Sequence, residues 1–243
     1  MRLVDRLRMN LTSVANDPVS EFGSDHYTRH NQRRLEHLAT LDLPLAGRSV
    51  IEVGAGIGDH TTFFLDRGCS VVTSEGRPGN VELLQRRYPS IPVRQLDLDD
   101  PDPEFREKAE VVYCYGTLYH LRRPAEALAF LAGCCTSLML VETCVSFGDD
   151  ERLVPAEEDA SNPSQALLGV GSRPTRPWVH RRLSELFPFV YMPRTQPWHA
   201  EFPVDWTTPA DSDGLIRAIF VASRTQLRNP LLTEEIPQHQ ART

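Results

Sequence analysis

Glu52, Glu75 and Asp97 are carboxylates that interrupt or follow short β-branched runs, and a glycine turn stands just after the first of them. The turn lies in Val50-Ile-Glu-Val-Gly-Ala-Gly-Ile-Gly-Asp-His-Thr61, with glycines at 54, 56 and 58. Such glycines let a backbone bend tightly against a ligand at the end of a buried strand. In dinucleotide-binding folds a phosphate sits there, on a helix N-terminus, and a neighbouring carboxylate would repel it. Glu52 therefore points to a cationic or hydroxyl-rich ligand without phosphates. Glu75 stands 75 − 54 = 21 positions after the first glycine. From a strand end it can take both ribose hydroxyls. Asp97 can accept from an adenine amino group, and Leu98 can pack on the ring. A lone acid at a strand end is commonly a helix cap or a solvated residue; three at successive strand ends, correctly spaced from a glycine turn, are much harder to explain by chance.

A second group follows in Tyr115-Gly-Thr-Leu-Tyr-His120. His120 is the candidate general base, because its ordinary pKa of about 6.5 lies near working pH. The plainer alternative is a histidine that packs or orients a loop. Tyr119 is a candidate pocket wall, or a core aromatic. Arg173 and Arg176, stiffened by neighbouring prolines, suit a carboxylate or phosphate on an acceptor, unless they cap the sheet edge. His199 lies in Gln196–Trp206, where aromatics and titratable groups mix as they do around ring-shaped substrates; packing of a proline-rich crossover is the duller reading. Tyr27, His30 and Asn31 are placed to cover a ligand from the first helix. The acids Asp149, Asp150 and Glu157–Asp159 offer oxygens for magnesium, but a solvated loop is preferred and no metal ligand is assigned.

The elements that must position these residues alternate regularly. The spacing predicts a helix over 24–41, strands at 49–53, 70–74, 93–96, 111–115 and 138–145, and helices at 58–67, 78–88 and 124–134. Strand–helix alternation at short intervals indicates a doubly wound α/β sheet, with ligands beyond the carboxyl ends of the strands. Eleven of the 19 prolines lie beyond residue 150. Residues 148–177 accordingly read as a long irregular insertion, a lid or substrate loop. A helix over 178–187 and strands at 190–194 and 217–223 follow. The expected organisation is a helical cap over 1–45, one catalytic domain over 46–230 and a flexible tail over 231–243.

Composition narrows the function. A net charge of −7 argues against a nucleic-acid partner and favours a small-molecule acceptor. Lys108 is the single lysine, in a charged segment that reads as helical, which excludes Schiff-base or P-loop lysine chemistry. Five cysteines without CxxC spacing read as buried thiols of a reducing compartment. Met1–Leu11 lacks a signal-peptide core, and no apolar run approaches the ~18 residues of a membrane span. The expectation is a cytoplasmic protein with no membrane association, for which a homo-oligomer is left open.

Residues from about 48 to 145 resemble a class I S-adenosylmethionine-dependent methyltransferase, on the ExGxGxG turn, Glu75, Asp97 and the fourth-strand motif in that order. The resemblance implies a seven-stranded sheet, mostly parallel with an antiparallel last strand, and Arg217–Ser223 fits that strand. It implies S-adenosylmethionine as cofactor, whose ammonium and sulfonium suit Glu52. Gly54, Ala55 and Gly56 would lie against the methionine part, Glu75 on the ribose and Asp97 on the adenine amine, with Gly76, Leu98 and Tyr115 completing the wall. Gly116–Pro124 and Leu140–Thr143 are also similar to the branch that transfers a carboxymethyl group to wobble uridine. The long amino-terminal domain of that branch has no counterpart here, and a basic surface is missing, so its substrate is not carried over. The expected activity is methyl transfer to an oxygen or nitrogen of a small molecule, a sugar or secondary metabolite. Two alternatives stand beside it. One is an RNA-directed enzyme using Arg29, Arg33, Arg34, Arg173 and Arg176. The other is a cofactor-binding partner without turnover.

Overall fold

The computed structural model describes residues 17–209 and 214–243, so the reading of Met1–Leu11 and the first part of the expected cap lie outside the described residues. Strand β1 (Ser49–Val53) shows how sequence becomes sheet. Val50 enters one hydrophobic core, while Ile51 and Val53 enter a second on the opposite face. Alternation with both faces buried is the mark of a central strand covered by helices on each side. The same holds along β4 (Ala109–Tyr115), where Val111 and Tyr113 share the first core and Val112 and Cys114 the second.

Around β1 and β4 the sheet runs in the order β3-β2-β1-β4-β5-β10-β8-β11. Its members are β2 (Ser70–Glu75), β3 (Val93–Gln95), β5 (Cys135–Val145), β8 (Phe189–Pro193), β10 (Ile216–Ser223) and β11 (Leu232–Thr233). β1 to β5 pair in parallel. β10 inserts antiparallel between β5 and β8. The expected doubly wound sheet and its antiparallel last long strand are present, with one strand more than expected. Strand order reverses between β1 and β4, where such sheets bind ligands.

Helices α5 (Pro124–Cys134) and α6 (Arg176–Leu186) cover one face through Leu128, Leu131, Val179 and Leu183. On the other lie α2 (Asp25–Thr40) and α3 (Thr61–Leu65), through Leu38, Phe63 and Phe64. Between β2 and β3 runs α4 (Pro78–Arg87), and a short α1 (Pro18–Phe22) precedes α2. On α2, His30, Arg34 and His37 are buried. The segment around Lys108 is not helical.

Two expectations are corrected. Residues 148–177 are irregular only in part: β6 (Leu153–Glu157) and β7 (Val170–Pro174) form an antiparallel hairpin around the irregular loop 158–169. Nor is 231–243 a frayed tail. Leu232 and Thr233 pair with Pro193 and Met192, and β12 (Ala241–Arg242) pairs with β9 (Thr195–Gln196). Trp206 Nε1 also donates to Gln240 Oε1 at 2.8 Å. The tail stays because Leu232 is buried in the core and these bonds are long-range, invisible to local composition. Leu232→Ala is therefore expected to cost about 2–3 kcal/mol. Thermal unfolding should show a Tm lower by roughly 5–10 °C. An unshifted midpoint would mean that the segment is frayed after all.

Candidate active site

A cleft of about 1100 Å³, counted out to its mouth, opens above the carboxyl ends of β1, β2 and β4. The glycine turn is shaped by left-handed backbone. Gly54 has φ +61°, and a Cβ on it would lie 2.1 Å from Thr117 Oγ1; Gly56 has φ +57°, and a Cβ there would lie 2.9 Å from the Phe22 ring. Side chains at either position would fill the cradle that the cleft offers a ligand.

The acids stand around this cradle. Glu52 is fully buried; Thr61 Oγ1 donates to its Oε2 at 2.6 Å, and burial pushes its pKa up to about 7. Glu75 ends β2 and is held by two backbone donors, Gly56 N–H to Oε2 at 2.9 Å and Arg77 N–H to Oε1 at 3.0 Å. Burial raises its pKa, against those bonds. Each oxygen of Glu75 keeps a lone pair for a further donor. Asp97 lies two residues beyond β3 and accepts from Asp99 N–H at 2.9 Å. Asp99, which sequence reasoning passed over, anchors the loop before α5 by accepting from the N–H groups of Arg122 and Arg123.

All nine residues expected around the cofactor line this one cleft: Glu52, Gly54, Ala55, Gly56, Glu75, Gly76, Asp97, Leu98 and Tyr115. Tyr119 and His120 line it too, and α2 closes it with Tyr27, His30, Asn31 and Arg34. The loop between β6 and β7 adds Pro163, Ser164, Gln165 and Leu167. Arg77 fastens that loop by donating to the carbonyls of Ala160, Gln165 and Ala166, each at 3.0 Å.

His120 ends a 3₁₀ turn, Leu118–His120, and its Nδ1 lies 2.5 Å from Glu158 Oε2. Glu158 also accepts from Ala166 N–H and from Arg173. Burial lowers the His120 pKa and outweighs the opposing pull of Glu158. The ring is therefore neutral at neutral pH. Glu158 itself sits below its ordinary value: burial works against it, but the contact with His120 and the bonds from Ala166 and Arg173 prevail. Two of the acids considered for magnesium have other partners. Asp150 pairs with Arg152, and Asp159 caps its own turn through Ser161.

Three residues expected at the acceptor are placed elsewhere. Arg173 is spent on Glu158, on the Tyr119 carbonyl and over the Tyr119 ring. Arg176 donates to the Pro237 carbonyl at 2.6 Å and stacks on Trp206, away from the cleft. His199 lies behind His30, with ring centroids 5.0 Å apart. Arg34, counted among possible RNA contacts, is internal. It donates to Glu142 Oε2 at 2.8 Å, while Arg217 donates to Oε1 of the same carboxylate at 3.1 Å and to Tyr119 Oη at 3.2 Å. The Arg34–Glu142–Arg217 triad escaped sequence reasoning. Its signal was an acid inside the apolar run Leu138–Val145 and an arginine opening an apolar last strand.

Comparison with known proteins decides the family of this cleft. Residues 51–137 match the family model described as a methyltransferase domain. Over that stretch the chain carries a methyltransferase domain. The fold is similar to three solved structures. The N-terminal domain of EvdMO1, solved with SAH and D-fucose, gives a TM-score of 0.59 at 18% identity, over 82% of this chain and 84% of that one. Magnesium protoporphyrin IX methyltransferase from Synechocystis PCC 6803, with bound SAM, gives 0.55 at 15% identity, over 85% and 89%. The 1,6-didemethyltoxoflavin-N1-methyltransferase of Burkholderia thailandensis gives 0.53 at 18% identity, over 90% and 88%. In sequence the chain is similar to the tRNA U34 carboxymethyltransferase of Hahella chejuensis (strain KCTC 2396), 30% identical over 57% of this chain and 45% of that protein. It thus spans less than half the length of the curated relatives it matches. Among the described residues no helix is long and apolar enough to cross a membrane.

The glycine cradle and the acids fit S-adenosylmethionine, the cofactor of this domain class. Gly56→Val should abolish cofactor binding in calorimetry while circular dichroism reports an intact fold; wild-type affinity would refute the assignment of this turn to the cofactor.

Proposed function

We propose that the protein transfers a methyl group from S-adenosylmethionine to an oxygen or nitrogen of a small polar molecule. The observation that carries this reading is the His120–Glu158 dyad in the wall of a cleft whose lining keeps unpartnered polar atoms. Arg34 Nε, His60 Nε2 and Tyr115 Oη are buried without a hydrogen-bond partner among the described residues, and all three residues line the cleft. A buried polar atom left unpaired costs about 1–3 kcal/mol, so the cleft suits an acceptor or cofactor rich in hydroxyl, carbonyl or carboxylate groups. Closure by α2 and the β6–β7 loop favours a small molecule over a polynucleotide.

When bound, S-adenosylmethionine supplies an electrophilic methyl for in-line displacement by the acceptor. The chain's own residues do the rest. Glu75 and Asp97 hold ribose and adenine, and Glu52 faces the cationic part. With Nδ1–H donated to Glu158, the free Nε2 of His120 takes the acceptor proton as the new bond forms, and Glu158 steadies the resulting imidazolium. Positioning supplies most of the rate in such a transfer. Tyr119, held by Arg217 and packed against His120 with ring centroids 3.9 Å apart at a 40° tilt, walls the acceptor side.

A second reading is transfer of a carboxymethyl group to tRNA. It is favoured by the curated relatives and by Arg217, a buried guanidinium against Tyr119 beside the cleft, which would suit a carboxylate on the transferred group. Incubation of a metabolite extract with methyl-labelled S-adenosylmethionine, and of total tRNA both with that cofactor and with its carboxylated derivative labelled in the carboxymethyl group, separates the two. Label in a small molecule is expected; label only in tRNA would overturn the first reading.

His120→Ala should reduce kcat by at least ~100-fold. The active form is neutral His120, so activity should be lost as pH falls through its pKa, with an acid limb below the ordinary 6.5. Glu158→Gln removes the group that favours the imidazolium, so the limb should move further down and kcat should drop. An unmoved limb would remove Glu158 from the dyad.

A further inference from the structure

Behind the cleft wall, three donors that the reaction does not use converge. One ring nitrogen of His30, one of His199 and one carboxylate oxygen of Glu201 lie within 4.8 Å of one another. His30 comes from α2; His199 and Glu201 come from the crossover between β9 and β10. The most informative atom is His30 Nε2. The residue is 1% exposed, the nitrogen has no hydrogen-bond partner among the described residues, and it faces Glu201 Oε2 at 3.7 Å. A buried imidazole nitrogen without a partner is uncommon in a folded protein and calls for an explanation such as an ion.

The surroundings point to the kind of ion. Arg217 Nε holds Glu201 Oε2 at 2.5 Å, so Oε1 is the freer oxygen. His26, one helical turn before His30 on the same face, brings Nε2 to 3.5 Å from that Oε1. The His199 ring is tied loosely, its Nδ1 accepting Glu201 N–H at 3.3 Å. Two or three neutral imidazoles and one carboxylate are a borderline donor set. Magnesium and calcium take oxygen ligands, whereas zinc takes imidazole and carboxylate together in four-coordinate sites.

We propose that His30, His199 and Glu201, with His26 as the solvent-side donor, bind one zinc ion that fastens α2 to the β9–β10 crossover. Ligand atoms on a zinc ion lie at about 2.0–2.2 Å from it, so the present separations close by side-chain rotation. The ion stands one layer behind the cleft, on the far side of His30, and its role is to set the position of α2 over the acceptor. The proposal does not depend on which acceptor is methylated.

The test uses the full chain, stripped with EDTA and returned to metal-free buffer. Zinc sulfate is titrated against a chromophoric zinc indicator, with magnesium chloride in parallel, and cofactor affinity is measured on the same samples. One zinc per chain with sub-micromolar affinity is expected, with no response to magnesium. Cobalt loading should give the intense visible absorption of a four- or five-coordinate site. His199→Ala changes a half-buried ring and should keep the fold; it should weaken zinc binding by at least about 100-fold, the upper end of what losing even an outer-shell partner costs a metal site. Glu201→Gln should act in the same direction. A wild-type chain that binds no zinc, binds magnesium instead, or binds zinc as tightly after His199→Ala overturns the proposal. Absent zinc binding with intact cofactor affinity would fell this inference alone and leave the methyltransferase reading standing.

Discussion

Glu142 is the point on which the site depends. It is a fully buried carboxylate on the central strand β5, and both of its oxygens are taken by guanidiniums from opposite ends of the chain, Arg34 on α2 and Arg217 on β10. Burial alone would push its pKa up, yet the two arginines hold it below the ordinary carboxylate range. Such a group stabilises only as a complete set. Removing one partner from a buried ion pair typically costs about 3–5 kcal/mol, because the charge left behind has nothing to offset its lost hydration. What the set supplies is position: α2 is tied through Arg34, and Arg217 is fixed where it can hold Tyr119 and Glu201.

From that fixed point the cleft closes in two steps. Arg34 brings α2 over the sheet, and Arg34 Nη2 in turn holds Asn31 at 2.5 Å. The hairpin loop comes in from the other side, held by Arg77 and by Asn80, which donates to the Pro163 carbonyl at 3.2 Å. The two covers meet where Ser164 donates to Glu21 of α1 at 3.0 Å. The lid is thus held by arginine and asparagine side chains on carbonyls, a polar fastening with little apolar area. Segments of that kind open at lower free energy than the core, as entry and exit of a ligand demand.

The cofactor side of the site was legible because its signals are local. A glycine that must adopt positive φ, and an acid one residue past or at the end of a β-branched run, carry their meaning within a dozen residues. All nine residues so identified line one cleft. The acceptor side was read poorly because its contacts are long-range. Glu142 and Arg34 are 108 residues apart, and His120 and Glu158 are 38 apart. Arg173 and Arg176 looked available in the sequence; in the fold one is neutralised by Glu158 and the other covers Trp206. The 231–243 segment failed for the same reason, since its polar composition hides the Leu232 contact and the pairing with β8 and β9. His30, by contrast, was noticed as a possible cover for a ligand, but its burial was not, because a basic helix face reads as solvated until a carboxylate from elsewhere is known to meet it.

The charges divide the cleft into two chemically different ends. Glu52, Glu75 and Asp97 gather at one, with no arginine side chain paired to any of them among the described residues, so the field there favours a cation. At the other end Arg34 and Arg217 face Glu142 and Glu201, and the four charges cancel. A neutral but strongly polar wall does not attract an anion from a distance as an excess of arginine would; it recognises by hydrogen-bond geometry at contact. An acceptor drawn by long-range attraction, as a polynucleotide is, finds no net positive charge in this wall, whereas an uncharged polyol or amide can satisfy its unpaired donors and acceptors. That balance is set by the same Glu142 that anchors the fold.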